Sequence, residues 1–167
     1  MIRDLRRRDT AALARYFGDL SERTRFLFGP HPFTDEEAER ITAELDSDRL
    51  KRYVVDLSGR IIGYFLLRPG IHGSDADRYS RYGVDLADAA GFAPSVCDEF
   101  QGRGVGSGAF AVIRDTAAAA GVRRLILMGG VRAVNTAAQA YYRALGFQVA
   151  GRFEWQGDNL DMHTKLS

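Results

Sequence analysis

Residues 101–108 read QGRGVGSG, and they separate a predicted strand from a predicted helix. Glycines let a backbone approach a ligand closely, and the first turn of a helix offers unpaired N–H groups with a positive dipole potential. Arg103 adds a cation that can make a charge-assisted contact with an anion. The stretch therefore predicts a phosphate-binding turn, although a tight strand-to-helix connection would also account for its glycines.

Two other phosphate motifs compete for the same residues. Residues 104–109 (GVGSGA) match the G-x-G-x-x-A dinucleotide fingerprint, which requires an acidic residue near the end of the next strand to hold a ribose. Residues 125–132 (LILMGGVR) contain no acidic residue, and that fingerprint normally opens a domain. A P-loop requires G-K-[ST], which is absent. Both alternatives are therefore disfavoured.

The segments on either side of the turn predict a mixed α/β fold. Segments rich in β-branched or aromatic residues predict strands at residues 53–57, 61–67, 92–97, 124–128, 147–153 and 160–166. Apolar periodicity and capping residues predict helices at residues 11–17, from residue 34 onward, and at residues 104–120 and 135–145. Residues 69–90 are predicted to be a loop or irregular insertion that could contain a short helix or strand. The strand–helix–strand unit around residues 97–124 predicts a parallel, right-handed crossover.

Composition narrows the class of protein. The 167 residues, 46% of them hydrophobic and 27% charged, suit one domain over residues 1–167. The net charge of +1 argues against a nucleic-acid-binding protein. One cysteine, Cys97, and three histidines make a disulfide or a structural zinc site improbable, which favours a cytoplasmic setting. No apolar run is long enough to span a membrane, and the basic N-terminus lacks the apolar stretch of a signal peptide.

Two blocks of sequence carry a resemblance to a known family. Gln101-x-x-Gly104-x-Gly106 matches the Q/R-x-x-G-x-G/A signature, and Asn135-x-x-Ala138-x-x-x-Tyr142-x-x-x-Gly146-Phe147 matches a second block, one helix and one strand further on. Together they resemble the GNAT (GCN5-related) N-acetyltransferases over residues 92–166, and the first half of the chain fits that fold more loosely. The resemblance implies a central, mostly antiparallel sheet with one parallel crossover, flanked by helices.

The resemblance also implies a binding mode for acetyl-CoA as cosubstrate, without a metal ion. The pyrophosphate would lie on the backbone amides of the Gly-rich turn, and the pantetheine arm would pair with the backbone of residues 96–98 as an added strand. Asn135 would orient the cofactor or the backbone that follows it. The implied cofactor-binding residues are Val96, Gln101, Gly102, Arg103, Gly104, Val105, Gly106, Ser107 and Asn135.

The implied chemistry is direct attack of a neutral amine on the thioester. Tyr142 would act as the general acid for the departing thiolate, and the N–H of Val96 would stabilise the oxyanion. The acceptor is the amine of a small molecule or a protein, and the near-zero net charge argues slightly against a polyamine. A different acyl-CoA donor and a non-catalytic acyl-CoA-binding module stay open as alternatives. Sheet edges in this fold often pair, which favours a homodimer.

The general base departs from the family pattern. Many members place a glutamate seven to ten residues before the glutamine of the signature, but residues 91–94 of this chain are Gly-Phe-Ala-Pro. One hypothesis is that a water molecule carries the proton to Asp85, Asp88 or Glu99. The other is that the amine arrives already neutral.

Each candidate has a purely structural alternative. Tyr142 could be a core aromatic, Asn135 could be only a helix cap, and Cys97 is expected to be a small buried residue rather than a nucleophile. Residues 23–33, rich in basic and aromatic side chains, could be a packed loop or an acceptor pocket with affinity for anionic groups.

Overall fold

A computed structural model describes residues 1–167. The chain divides into two compact units, one comprising Met1–Leu67 and Pro94–Val112 and the other Arg68–Ala93 and Ile113–Ser167. The longest helix has 15 residues, and none of the helices combines the length and apolar character that crossing a membrane requires.

The first unit combines an antiparallel sheet with three short helices. In chain order its elements are β1 (Ile2–Asp4), α1 (Thr10–Asp19), α2 (Glu22–Leu27), α3 (Asp35–Ala43), β2 (Lys51–Leu57) and β3 (Arg60–Pro69), whose last two residues belong to the second unit. β2 pairs antiparallel with both β1 and β3. Ser58 and Gly59 join β2 to β3 with φ angles of 51° and 88°. Two positive φ values match the tightest hairpin turns, which favour glycine.

The second unit holds the remaining elements, two of which begin or end in the first unit. They are α4 (Gly73–Arg81), β4 (Ala89–Val96), α5 (Val105–Ala119), β5 (Arg124–Leu127), β6 (Val131–Arg132), α6 (Thr136–Ala144), β7 (Gln148–Glu154) and β8 (Asp158–Lys165). β4 and β5 pair in parallel, whereas β8 pairs antiparallel with β5, β6 and β7. The predicted mixed α/β fold, mostly antiparallel with one parallel pair, is confirmed.

Large apolar side chains explain why these elements form and pack. In the first unit Leu13, Tyr16 and Phe17 of α1 are buried, as are Tyr64 and Phe65 of β3. In the second unit the buried set lies on the parallel strand pair and the strands beside it, and includes Phe92, Leu125, Ile126, Phe147 and Met162. Leu125, Ile126 and Leu127 of β5 are buried in succession, as expected of a strand that is covered on both faces.

The sequence did not predict β1, α2 or β6, and it left two further features of the fold unresolved. Residues 69–90, predicted to be a loop or irregular insertion, contain helix α4, whose only buried residue is Tyr79. A helix with so small an apolar face gives little periodic signal. β4 begins at Ala89, earlier than predicted, because Ala89 and Ala90 are buried residues without the β-branched side chains that mark strands.

Candidate functional site

The parallel pairing of β4 with β5 stops where a proline enters β4. The N–H of Met128 donates to the carbonyl of Phe92 at 3.0 Å. The next residue on that edge of β4 is Pro94, which has no N–H to contribute. On the other strand Gly129 and Gly130 both have φ near 70°, so the chain turns directly after β5. The proline in β4 and the glycine turn after β5 therefore end the hydrogen-bond ladder between the two strands.

Beyond Pro94, the end of β4 presents a main-chain donor on that same edge. The N–H of Cys97 donates to the carbonyl of Ile62 in β3 at 2.9 Å. Successive residues of a strand direct their N–H groups to opposite edges, so the N–H of Val96 points away from β3. A 2.6 Å hydrogen bond between the hydroxyls of Tyr16 and Ser95 fixes this part of the strand to α1.

The Gly-rich turn follows directly and leads into α5. The side-chain amide of Gln101 donates to the carbonyl of Val96 at 3.0 Å and so holds the turn against the strand. Gly102 and Gly104 have φ angles of 70° and 80°, a region that other residues rarely adopt. No atom lies within 4 Å of where a Cβ on either glycine would stand. The backbone is therefore open to a ligand at both positions.

The start of α5 supplies several N–H groups without helical partners. The first helical hydrogen bond runs from the N–H of Gly108 to the carbonyl of Gly104, at 2.9 Å. The N–H groups of Val105, Gly106 and Ser107 precede it and have no partner in the helix. Orphan amides with the positive end of a helix dipole suit an anion such as a phosphate. The turn therefore offers main-chain donors suited to an anion, and phosphate binding there stays a prediction.

Some charged side chains near the Gly-rich turn form ion pairs, and others are exposed to solvent. The guanidinium of Arg103 lies 5.9 Å from the ring centroid of Phe100, and Arg103 is exposed. Arg60 forms ion pairs with Glu99 and, at 3.6 Å, with Asp19. Arg103 is thus the cation of the turn that is open to solvent, while the carboxylate of Glu99 is held by a cation.

Asn135 acts as the N-cap of α6. Its Oδ1 accepts a hydrogen bond from the N–H of Ala138 at 3.2 Å, and its own N–H donates to the carbonyl of Arg132 at 2.9 Å. The structural alternative for Asn135 is therefore present, and it leaves the side-chain Nδ2 as a donor.

Tyr142 lies on the buried face of α6 and is 9% exposed. Its ring packs against Phe147, at 5.6 Å between centroids, and Phe147 stacks on Phe92 at 6.4 Å. Burial raises the pKa of Tyr142 well above its usual value, so the phenol keeps its proton at neutral pH. The neighbouring Tyr141 has a hydroxyl that is buried without a hydrogen-bond partner. Tyr142 is thus a packed aromatic residue whose phenol is protonated at neutral pH.

Cys97 is buried, as the sequence predicts. It is 2% exposed, and burial raises the pKa of its thiol. A buried thiol with a raised pKa is a poor nucleophile at neutral pH.

Two of the carboxylates that the sequence suggested as bases, Asp85 and Asp88, lie before the start of β4. Asp85 and Asp88 are exposed and precede the first residue of β4, whereas Val96 is the last residue of that strand. Asp85 accepts a hydrogen bond from the N–H of Ala87, and Asp88 faces Arg123. The structure therefore brings neither aspartate to the end of β4 that carries Val96.

Residues 23–33 pack rather than form an open loop. The rings of Phe17, Phe28, His31, Phe33 and Tyr64 make a continuous aromatic cluster, with centroid separations between 5.2 and 5.9 Å. Arg25 donates to two carbonyls at the end of α1, and Phe26 is 60% exposed. The segment is therefore packed, although residues 23–27 belong to helix α2 rather than to a loop, and an acceptor pocket here stays a prediction.

Burial of His31 makes stability depend on pH. Burial lowers the pKa of His31, and it also lowers that of His163. The folded state then binds fewer protons than the unfolded chain, so stability is full above the ordinary value of about 6.5 and declines in the window below it as pH falls. Melting temperatures measured across this window should fall with pH. His31→Phe should flatten the decline without abolishing it, because His163 also contributes. An unchanged slope in that variant would show that His31 does not contribute.

A buried ion cluster in the second unit was missed from the sequence. Arg78 of α4 pairs with Asp75 at 2.6 Å and with Asp161 of β8 at 2.7 Å. The signals available were the i,i+3 spacing of Asp75 and Arg78 and a lone aspartate within the apolar strand segment Leu160-Asp161-Met162. Neither signal identifies the partner across the fold.

Known structures share this fold along the whole chain. An S5-alanine ribosomal-protein acetyltransferase from Vibrio fischeri aligns with a TM-score of 0.78 and 18% identity, covering 99% of this chain and 92% of that one. A ribosomal-protein-alanine N-acetyltransferase from Brucella melitensis gives 0.74 and 20%, covering 99% of each chain. A GCN5-related N-acetyltransferase from Kribbella flavida gives 0.72 and 23%, covering 99% and 97%. At these identities the likeness shows the fold alone.

A family model gives the stronger assignment. No curated protein sequence matches the chain significantly. The model described as the acetyltransferase (GNAT) family matches residues 16–147, which include the Gly-rich turn and the Asn135 to Phe147 block. Because the match covers most of the sequence, the chain belongs to the GNAT acetyltransferase family.

Proposed function

We propose that the protein transfers an acetyl group from acetyl-CoA to a primary amine. The observation that carries the proposal is the continuity of main-chain donors from the end of β4 into α5. The N–H of Val96 points away from β3, and the amides of Val105 to Ser107 lack helical partners. A long ligand with an amide-containing arm at one end and a pyrophosphate at the other matches this series. GNAT membership supports acyl transfer as the reaction.

Each part of the cofactor then has a candidate partner. The pyrophosphate binds the backbone from Gln101 to Ser107, where Gly102 and Gly104 leave the main chain uncovered. Arg103 adds a positive charge next to the phosphates. The pantetheine arm pairs with the free edge at Val96. Asn135 keeps α6 in place through its cap, and its Nδ2 is the group left to contact the cofactor or the adjacent backbone.

The reaction needs an acid for the leaving group. The amine nitrogen attacks the thioester carbonyl, the C–N bond forms, and the C–S bond breaks to release the thiolate of CoA. Tyr142 gives its phenolic proton to that thiolate and regains one from the attacking nitrogen, and its raised pKa ensures that it carries the proton beforehand. The N–H of Val96 donates to the carbonyl oxygen as negative charge develops there.

The acceptor is a primary amine of a small molecule or a protein. Two of the similar structures carry names that specify alanine of ribosomal proteins. An N-terminal alanine is therefore the first acceptor to test. The second candidate function is a non-catalytic acyl-CoA-binding module, which is favoured by the absence of a carboxylate between Gly91 and Pro94 in β4.

A thiol-release assay distinguishes the two functions. Acetyl-CoA is supplied with an alanine-initiated peptide, an Nα-blocked lysine peptide, free amino acids, spermidine and an aminoglycoside, and released CoA is titrated with a thiol reagent. We expect release that depends on one of these amines, with a matching acetylated product by mass spectrometry. Binding of acetyl-CoA without release in any arm would replace the enzyme by the binding module. Succinyl-CoA and propionyl-CoA as alternative donors test the acyl preference.

A further inference from the structure

The ion cluster between α4 and β8 contains two carboxylates and one guanidinium, so one carboxylate is in excess. Arg78 contacts both oxygens of Asp161, at 2.7 Å from Nε and 3.0 Å from Nη2. The side chain of Asp161 is 0% exposed, and the hydroxyl of Tyr82 also donates to it at 3.0 Å. A buried carboxylate of this kind requires a paired cation, and a bidentate guanidinium is the strongest such pairing. The single charge of Asp161 is therefore enough to neutralise that of Arg78.

Asp75 is the excess carboxylate. It contacts Arg78 at 2.6 Å from one oxygen, and its side chain is 20% exposed, so it reaches solvent where Asp161 does not. The cluster of two aspartates and one arginine carries a net negative charge, which makes Asp75 the group best able to take up a proton. Burial raises the pKa of Asp75, and the charge of Asp161 acts in the same direction, against the Gly129 amide and Arg78. A carboxylate whose pKa is raised by its surroundings in this way is suited to act as a general base.

Asp75 stands at the end of the parallel strand pair. Both of its carboxylate oxygens lie 3.2 Å from the N–H of Gly129. Gly129 follows Met128, whose N–H makes the last bond to Phe92 of β4. Asp75 is thus held beside the point at which the β4–β5 ladder stops, and its carboxylate comes from α4 rather than from β4 itself.

The same strand end is linked to the proposed acid. Phe92 stacks on Phe147, and Phe147 packs against the ring of Tyr142. The contacts from Asp75 through Gly129 and Met128 to Phe92, and from there through Phe147 to Tyr142, all lie within the second unit. A proton acceptor and a proton donor are therefore both attached to the end of one strand pair.

We propose that Asp75 is the general base that deprotonates the acceptor amine, an inference that rests on the proposed acetyl transfer. The acceptor arrives as an ammonium ion. One of its N–H bonds breaks, and the proton passes to the carboxylate of Asp75, directly or through one water molecule. The neutral amine then forms the C–N bond, the C–S bond breaks, Tyr142 protonates the departing thiolate, and the second proton of the attacking nitrogen returns to the Tyr142 phenolate. Asp75 afterwards releases its proton to solvent.

This assignment explains why β4 can lack a carboxylate. Residues 91–94 offer no ionisable group, and Asp85 and Asp88 lie before the other end of the strand. α4 supplies the carboxylate instead, and Arg78, whose charge is already matched by Asp161, holds it in position.

The test compares the pH dependence of Asp75→Asn with that of wild type. The assay uses the alanine-initiated peptide and the Nα-blocked lysine peptide as acceptors, with kcat/KM measured from pH 6 to 9.5. At pH 7 we expect a loss of about tenfold with the α-amine, whose pKa is near 8, and on the order of 1,000-fold with the lysine amine, whose pKa is near 10.4. The rate of the variant should rise tenfold per pH unit and approach wild type as the free amine becomes neutral. A merely structural loss would not recover with pH.

Three controls separate the possible outcomes. Asp75→Glu keeps a carboxylate and should restore much of the activity. Asp77→Asn makes the same change of charge on an exposed residue of the same helix and should have no effect. The melting temperature of Asp75→Asn and its stabilisation by acetyl-CoA should match wild type. A wild-type pH profile in Asp75→Asn would overturn the base assignment while leaving acetyl transfer intact. Absence of transfer by wild type with every amine would overturn the proposed function, and the base with it.

Discussion

Gly104→Glu should weaken CoA binding on the order of 1,000-fold. Gly104 has a φ of 80° and lies where the backbone is open, directly before the orphan amides of α5. A glutamate there places a side chain and a negative charge on the proposed pyrophosphate site, where the phosphates would otherwise meet N–H groups and a helix dipole. Isothermal titration calorimetry with CoA measures the loss directly. Unchanged affinity in the folded variant would remove the phosphates from this turn.

Gly121→Glu is the matched control for that variant. Gly121 follows the C-terminal end of the same helix, has a φ of 88°, and also has no atom within 4 Å of a Cβ. The two substitutions therefore impose the same backbone strain and add the same charge. Gly121→Glu should lower stability by about the same amount and bind CoA like wild type. A comparable loss of affinity in both variants would attribute the effect to strain or net charge.

Tyr142→Phe should lower kcat by about 1,000-fold and change CoA affinity by less than about threefold. The ring contact with Phe147 survives the substitution, so the fold and the packing of α6 remain. What disappears is the phenolic proton, which is needed only as the thiolate leaves. The measurement is steady-state acetyl transfer alongside calorimetry with CoA. A kcat equal to that of wild type at every pH would leave Tyr142 as a core aromatic.

Tyr141→Phe is the matched control for Tyr142→Phe. It removes a neighbouring hydroxyl that is buried without a hydrogen-bond partner. Removing an unsatisfied hydroxyl from a buried position should be neutral or slightly stabilising. Turnover close to wild type in Tyr141→Phe, beside a large loss in Tyr142→Phe, would assign the effect to one phenol. Equal losses would point to a general disturbance of α6.

The sequence predicted well the elements whose pattern is local. The capping threonine of α3 is one example, because Thr34 accepts a hydrogen bond from the N–H of Glu37 as the spacing indicates. The hairpin of β2 and β3, the helix after the Gly-rich turn and the buried strand β5 are others. In each case the signal lies within about fifteen consecutive residues, where periodicity and capping can be recognised.

The elements that the sequence missed depend on distant partners. β1 has only three residues, Ile2–Asp4, and exists because it pairs with β2. α4 is stabilised by the bonds of Arg78 and Tyr79 to β8, more than 80 positions along the chain. The cluster of Asp75, Arg78 and Asp161 depends on that docking, so no local pattern could identify Asp75 as a candidate base.

The residues of the candidate site also divide into those that a local pattern predicted and those that depended on family resemblance or on the structure. Gly102 and Gly104 were recognised from sequence because their left-handed backbone is a local requirement. The orientation of the Val96 N–H was an expectation from family resemblance, and it receives its support from the bond between Cys97 and Ile62. The role of Gln101 as a brace on the Val96 carbonyl came only from the structure.

A thermal-shift titration with acetyl-CoA, CoA, succinyl-CoA and NADP tests the central claim most directly. A ligand that binds only the folded state at 100 times its Kd stabilises that state by about 2.7 kcal/mol, or roughly 5 °C or more for a chain of this size. We predict such a rise with acetyl-CoA and CoA and none with NADP, while succinyl-CoA reports the acyl preference. A folded sample that no CoA compound stabilises would contradict the account, because the turn from Gln101 to Ser107 would then hold no cofactor.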